Sequence, residues 1–262
     1  MNFSNDWRKK MENITRQHGA WNDGPVFNRS FSLQFDDCDV KKEASLYTIM
    51  KLLSEMAGED YERRHVGYEF LFERNQVFIL SQSALRFQRL PRFGEDIIIS
   101  TWEKEIRGPL LCRAFDINTT QGEHLGGCMT GWLLVNPETR DILRPTALGD
   151  ILMPHEGEVR CGALKKLRRN PRLTFLGERP VYYSDLDGNE HVNNAVYGKI
   201  AVDFLPDDMR RHGLDEVYIT FNKETLFGTS LSIFGGETET GYEIQGSVDG
   251  QLHFATEFVF RK

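Results

Sequence analysis

The chain has 262 residues, 40% hydrophobic and 27% charged, enough to bury a sizeable core as one large domain or two ordinary ones. Its 32 Lys and Arg against 39 Asp and Glu give a formal charge of −7, which argues against wrapping nucleic acid. No run approaches the roughly 18 apolar residues of a membrane helix, and the first twenty residues, with Asp6 and Glu12 close to Arg8, Lys9 and Lys10, read as neither a signal nor a transit peptide.

Residues 31–35 alternate with period two and predict a strand. Leu46, Ile49, Met50, Leu53 and Met56 recur at helical spacing and predict a helix over 43–58, with Gly58 as its stop. Strands are expected at 77–87, 96–105, 110–118 and 124–135, the last two joined by a turn at 118–122. A connector follows, rich in Pro and Gly and then in Lys165, Lys166, Arg168, Arg169 and Arg172. A second strand and helix are expected at 180–184 and 192–205, the helix ended by Pro206. Four more strands fall at 216–222, 230–237, 242–248 and 252–261, with Asp249-Gly250 as the final turn. Cys38, Cys112, Cys128 and Cys161 form no C-x-x-C pair, so no zinc site or disulfide framework is expected. The chain reads as soluble and cytoplasmic.

The second series repeats the first. Phe87, Phe93 and Gly94 match Phe221, Phe227 and Gly228 at one constant spacing, and residues 35–39 match 183–187. Each unit is a strand, a helix apolar around much of its circumference, and four strands. One helix wrapped by a long antiparallel sheet is the hotdog arrangement, so the expected fold is an α+β tandem double hotdog. Its units are 1–145 and 180–262, with 146–179 between them.

The polar residues are unequally shared. The second unit carries Asp187, Asn189 and His191 where the first has Asp39, Lys41 and Glu43, and Glu224 where the first has Leu90. In an extended segment, positions i, i+2 and i+4 point one way. The following helix start offers unpaired backbone N–H groups at Val192, Asn193 and Asn194, suited to an oxyanion. Singly, Asp187 and Asn189 read as well as turn residues, and His191 as a structural histidine. An apolar slot at Glu224 would disfavour its charged form, as suits a general base or acid, although an exposed strand-end glutamate fits the sequence equally. G-x-S-x-G, H-E-x-x-H, the phosphate loop and G-x-G-x-x-G are all absent from the sequence. Thioester hydrolysis needs none of them, because its thiol leaving group has a pKa of about 8.5.

The stretch 185–194 followed by Tyr197 resembles the D-L-D-x-N-x-H-V-N-N signature of plant and bacterial acyl-acyl-carrier-protein thioesterases. The resemblance extends to 85–93 and 132–136, and covers nearly the whole chain from Val26. It implies hydrolysis of fatty acyl chains from the acyl carrier protein, ending elongation, without cofactor or metal. It carries catalytic roles to Asp187, Asn189, His191 and Glu224. Plant members have a cysteine after the glutamate; Thr225 stands there in this chain, which favours attack by water. The acyl chain is then expected in the first unit, with Met50, Leu53 and Met56 as pocket lining. Lys165, Lys166, Arg168, Arg169 and Arg172 become candidates for meeting the carrier protein, with a solvated linker face as their plainer reading. Expected partners exclude nucleic acid and membrane, and the chain is read as a monomer (an internal pseudo-dimer) or a homodimer. An acyl-CoA thioesterase, a hydratase and a non-catalytic acyl-binding protein are the competing readings.

Overall fold

The computed structural model describes residues 19–261, so the reading of the N-terminal segment falls almost wholly outside the described residues. Among these residues, one antiparallel sheet holds eleven strands. In spatial order they are β1 (Ala20–Asp23), β2 (Val26–Ser32), β4 (Asp96–Arg107), β5 (Leu110–Thr119), β6 (His124–Val135), β3 (Val77–Phe87), β8 (Leu214–Phe221), β11 (Gln251–Phe260), β10 (Gly241–Val248), β9 (Ser230–Glu237) and β7 (Thr174–Pro180). Beyond the β1 hairpin, the order is the same read inward from either end. The two halves meet where β3 pairs with β8, from Gln82 opposite Thr220 to Arg86 opposite Glu216. That junction covers two sheet edges that would otherwise expose unpaired backbone.

Two helices lie on one face of the sheet. Helix α1 (Leu46–Arg63) starts at Ser45, whose Oγ accepts the Thr48 N–H at 3.1 Å. Helix α3 (Asn194–Asp203) starts at Asn193, whose Oδ1 accepts the Ala195 N–H at 2.9 Å. Short helices α2 (Tyr68–Phe72) and α4 (Asp207–Arg211) follow them. The long helices touch at Gly198, where a Cβ would lie 2.5 Å from the Met50 sulfur. Between helices and sheet, Phe27, Phe87, Phe115, Phe254 and Phe258 are wholly buried, each worth about 1.5–3 kcal/mol of apolar burial. The arrangement is the tandem double hotdog expected from the sequence.

Local differences have local causes. The lead-in strands end at Ser32 and Pro180, short of residues 35 and 184, and β7 occupies residues expected in the connector. After each strand the chain enters a single 3₁₀ turn, Phe35–Asp37 or Tyr183–Asp185, closed by Asp37 on the Gln34 N–H and Asp185 on the Tyr182 N–H, both 2.8 Å. Gly58 does not stop α1, which continues to Arg63 because Asp60 still has buried contacts to make. Helix α3 begins later than expected, since Val192 is bridged to Leu186.

The connector forms a 3₁₀ segment at Pro145–Ile151 and then crosses the sheet face opposite the helices. There Leu167 is buried and its N–H donates to Thr220 Oγ1 at 2.9 Å, while Gln245 donates to the Arg168 carbonyl at 2.8 Å. Strand alternation produces this division: Val217 and Ile219 face the helices, and Tyr218 and Thr220 face the connector. Among the described residues, no helix is long and apolar enough to cross a membrane.

Candidate active site

The loop before α3 is a tight turn, not the extended run expected from its spacing. The Asp187 N–H donates to the His191 carbonyl at 2.8 Å, and Glu190 sits at φ 64°. Asp187 Oδ1 accepts the N–H groups of Asn189 at 2.9 Å and His191 at 3.4 Å. Asn189 and His191 therefore line a cavity, while Asp187 does not. The first half builds the same turn: Asp39 Oδ1 accepts from Lys41 N–H at 2.8 Å and Glu43 N–H at 3.3 Å, with Lys42 at φ 60°. The aspartate common to both copies organises the turn. What differs is its cargo, since Lys41 and Glu43 neutralise each other at 3.6 Å.

Glu224 follows β8 in a turn braced from behind. The N–H groups of Asn222 and Lys223 both donate to the His253 carbonyl, at 2.8 and 3.2 Å. Residues 191 and 226 form an isolated bridge that lays the two loops side by side. His191 Nε2 lies 3.4 Å from Glu224 Oε2, and Arg140 Nη1 donates to Glu224 Oε1 at 3.0 Å. The Glu224 side chain is 34% exposed, so its slot is partly open to solvent. Thr225 points the other way. It is 1% exposed, accepts the Tyr197 O–H at 2.9 Å and lies 2.7 Å from His253 Nδ1. Burial pushes the Tyr197 phenol up to about 12 and, helped by Lys223, holds the His253 imidazole below its ordinary value.

Two of the three backbone donors expected at the helix start are engaged. Val192 N–H donates to the Thr225 carbonyl and Asn193 N–H to the Asp185 carbonyl, both at 2.9 Å, and Asn194 does not line the large cavity. An oxyanion here would have to be met by side chains.

The cavity encloses about 750 Å³, a size typical of small-molecule sites. Most of its wall belongs to the first half, including Ser54, Ala57, Gly58 and Tyr61 of α1, Phe78 of β3 and Trp132 of β6. Asn189, His191 and Glu224 join the wall from the second half. Met50, Leu53 and Met56 do not line it; they are buried in the core on the neighbouring face of α1. Helix α1 thus contributes to the cavity through a different stripe, Ser54, Ala57 and Gly58, which its extension continues to Tyr61. A buried ionic cluster closes part of the wall. Arg113 Nη2 meets Asp60 Oδ2 at 2.8 Å, and Arg64 Nη2 donates to Glu103 Oε1 at 3.2 Å. Burial drives the adjoining Tyr61 phenol well above its ordinary value.

The basic connector residues lie elsewhere. Lys165 is paired with Glu257, Arg169 donates to the Gly250 carbonyl at 3.2 Å, and Lys166, Arg168 and Arg172 belong to the same run across the face opposite the helices. Arg140, by contrast, went unread in the sequence. The signal was there: an Asn-Pro turn directly after a long strand, with a basic residue near its tip. In the structure Asn136 Oδ1 accepts the Glu138 and Thr139 N–H groups at 2.9 and 3.1 Å.

The acyl-ACP thioesterase N-terminal domain family matches residues 24–147, and the acyl-ACP thioesterase C-terminal domain family matches residues 172–261. The chain belongs to the acyl-ACP thioesterase family. This acyl-ACP thioesterase family member is 23% identical over 219 residues to the chloroplastic acyl-[acyl-carrier-protein] hydrolase FATB2 of Cuphea viscosissima, covering 77% of this chain and 53% of that one. It is 22% identical over 225 residues to the chloroplastic oleoyl-acyl carrier protein thioesterase 2 of Arabidopsis thaliana, covering 77% and 60%. The chain spans between half and about three-fifths of the length of these curated relatives. Among solved structures, the 12:0-ACP thioesterase of Umbellularia californica superposes with a TM-score of 0.81 at 18% identity, covering 92% of this chain and 99% of that one. An acyl-ACP thioesterase from Bacteroides thetaiotaomicron superposes with a TM-score of 0.76 at 20% identity, covering 90% and 98%. At such identities the likeness shows a shared fold.

Proposed function

We propose that this protein hydrolyses the thioester between a fatty acyl chain and acyl carrier protein, releasing the free acid and ending elongation. One observation carries the reading: Asn189, His191 and Glu224 of one half converge on a cavity walled mainly by the other half. The cavity takes the acyl chain, and the polar trio meets its thioester.

In this reading a water molecule beside Glu224 attacks the thioester carbonyl carbon. The carboxylate takes the water's proton, and the carbonyl oxygen becomes the oxyanion of a tetrahedral intermediate. The Asn189 amide and the His191 ring receive that charge, because the Val192 and Asn193 N–H groups are engaged. Collapse expels the thiolate, which takes the proton held by the Glu224 carboxyl and leaves as the carrier's thiol, restoring the carboxylate. A thiol of pKa about 8.5 needs little acid assistance. Asp187 holds the loop that presents Asn189 and His191, and Thr225, buried behind the site, takes no part as a nucleophile.

Thiol release from a panel of acyl-carrier-protein substrates tests this proposal. E224Q and H191A should each lower kcat by about 100-fold or more, the usual scale for a positioned acid–base group. Near-normal rates in both folded variants would overturn the assignment. The same acyl chain on coenzyme A distinguishes the two carriers: faster release from coenzyme A would overturn the carrier-protein reading.

A further inference from the structure

Resting on that reading, we propose that Arg140 is a positioning residue that fixes the Glu224 carboxylate for attack on the thioester. Arg140 reaches the site from the opposite half, on the turn that follows β6. The turn is firmly built. Asn136 Oδ1 accepts two backbone N–H groups, Arg140 N–H donates to the Asn136 carbonyl at 2.9 Å, and residues 135 and 142 form a bridge.

Arg140 itself stands at φ 65°, in the left-handed region that a side chain other than glycine's disfavours. A strained position at the end of a rigid turn aims the guanidinium at one target, Glu224 Oε1, 3.0 Å away. Fold stability does not account for this pair. The two side chains are 59% and 34% exposed, and ion pairs so accessible contribute little. Both groups line the cavity.

Consider what the carboxylate would do alone. Glu224 has rotatable bonds to the backbone and, among the described residues, only the 3.4 Å approach of His191 to restrain it apart from Arg140. With Oε1 held by the guanidinium, Oε2 is left facing His191, where the attacking water would give up its proton. The carboxylate is clamped from the first half and faces the imidazole of the second, so the site is complete only when both halves are in register.

The test uses full-length protein carrying R140Q, R140K, E224Q, or R140Q with E224Q. R140Q should lower kcat by about 10- to 100-fold, the scale of misorienting a reacting group, with KM changed less than about threefold. R140K should recover part of that loss. In the E224Q background R140Q should add less than about a twofold further loss, because residues acting as a unit are not additive. A kcat for R140Q within twofold of wild type would overturn the inference, as would fully additive losses. A readout without turnover separates it from the wider reading. The Glu224 side-chain carboxylate ¹³C resonance, assigned with E224Q, should move in R140Q, and an unmoved resonance overturns the pairing. Wild-type protein that releases no thiol would defeat the thioesterase reading, and the resonance would still decide the role of Arg140 towards Glu224.

Discussion

Thr225 adjoins Glu224 in the chain and is separated from it by the orientation of a single turn. Its hydroxyl completes a buried series running from Tyr197 through Thr225 to His253. Thr225→Val preserves the shape and removes the hydroxyl, leaving two polar groups facing a methyl. Thermal unfolding should report a loss of about 1–3 kcal/mol, the cost of stranding buried polar atoms. Thr225→Ser should stay close to wild type in both stability and thiol release. A Thr225→Ser variant with stability intact but turnover abolished would contradict placement of this residue behind the site. Asp187 carries a related lesson. Spacing placed it with Asn189 and His191, and the structure folds its carboxylate back onto their N–H groups. The positive φ of Glu190 causes that inward fold, and no glycine marks it at that position. The polar residues that reach the cavity were therefore legible in the sequence, and for Asp187 the sequence offered the turn role beside the site role.

Strand β11 supports the site from below, and its His253 makes that support sensitive to acid. Burial, with help from Lys223, lowers the folded-state pKa of this imidazole. The unfolded value is about 6.5. As pH falls through that value, the unfolded chain takes up a proton that the native state refuses, so stability declines until the lower folded value is passed. Above about pH 7 the contribution is complete. Melting temperatures taken from pH 7.5 to 5.5 should fall more steeply for wild type than for His253→Gln, and parallel curves would contradict this assignment. At this scale the interior strands were the most legible, because alternation and turn residues agreed at both ends. The lead-in strands were not: buried Leu33 continues the alternating pattern after the ladder has stopped at Ser32. Helix α1 was cut short on the strength of Gly58, whose missing side chain borders the cavity instead of ending the helix.

Across the whole molecule, the doubled plan was readable because two separate segment matches fell in the same order. The division of labour was readable only in outline. The loss of polar residues from the first copy pointed to the half that brings Asn189, His191 and Glu224 to the cavity, but apolar periodicity marked the core-facing stripe of α1 and not the one that lines the cavity. The asymmetry has a measurable stoichiometry. The cavity is served by the equipped loop, and its counterpart, Asp39 to Glu43, carries the Lys41–Glu43 ion pair in place of Asn189 and His191. Calorimetric titration of E224Q with an acyl-carrier-protein substrate should saturate at one equivalent per chain, and two equivalents would show that both halves bind.

That ion-paired counterpart also bears on inheritance. In a dimer of identical subunits, any substitution is imposed on both sites at once, so damage to one is damage to both. Fusing the copies into one chain releases the second position from that constraint. The loop at 39–43 could then exchange chemistry for charge pairing while keeping its backbone shape, and selection could act on each half separately.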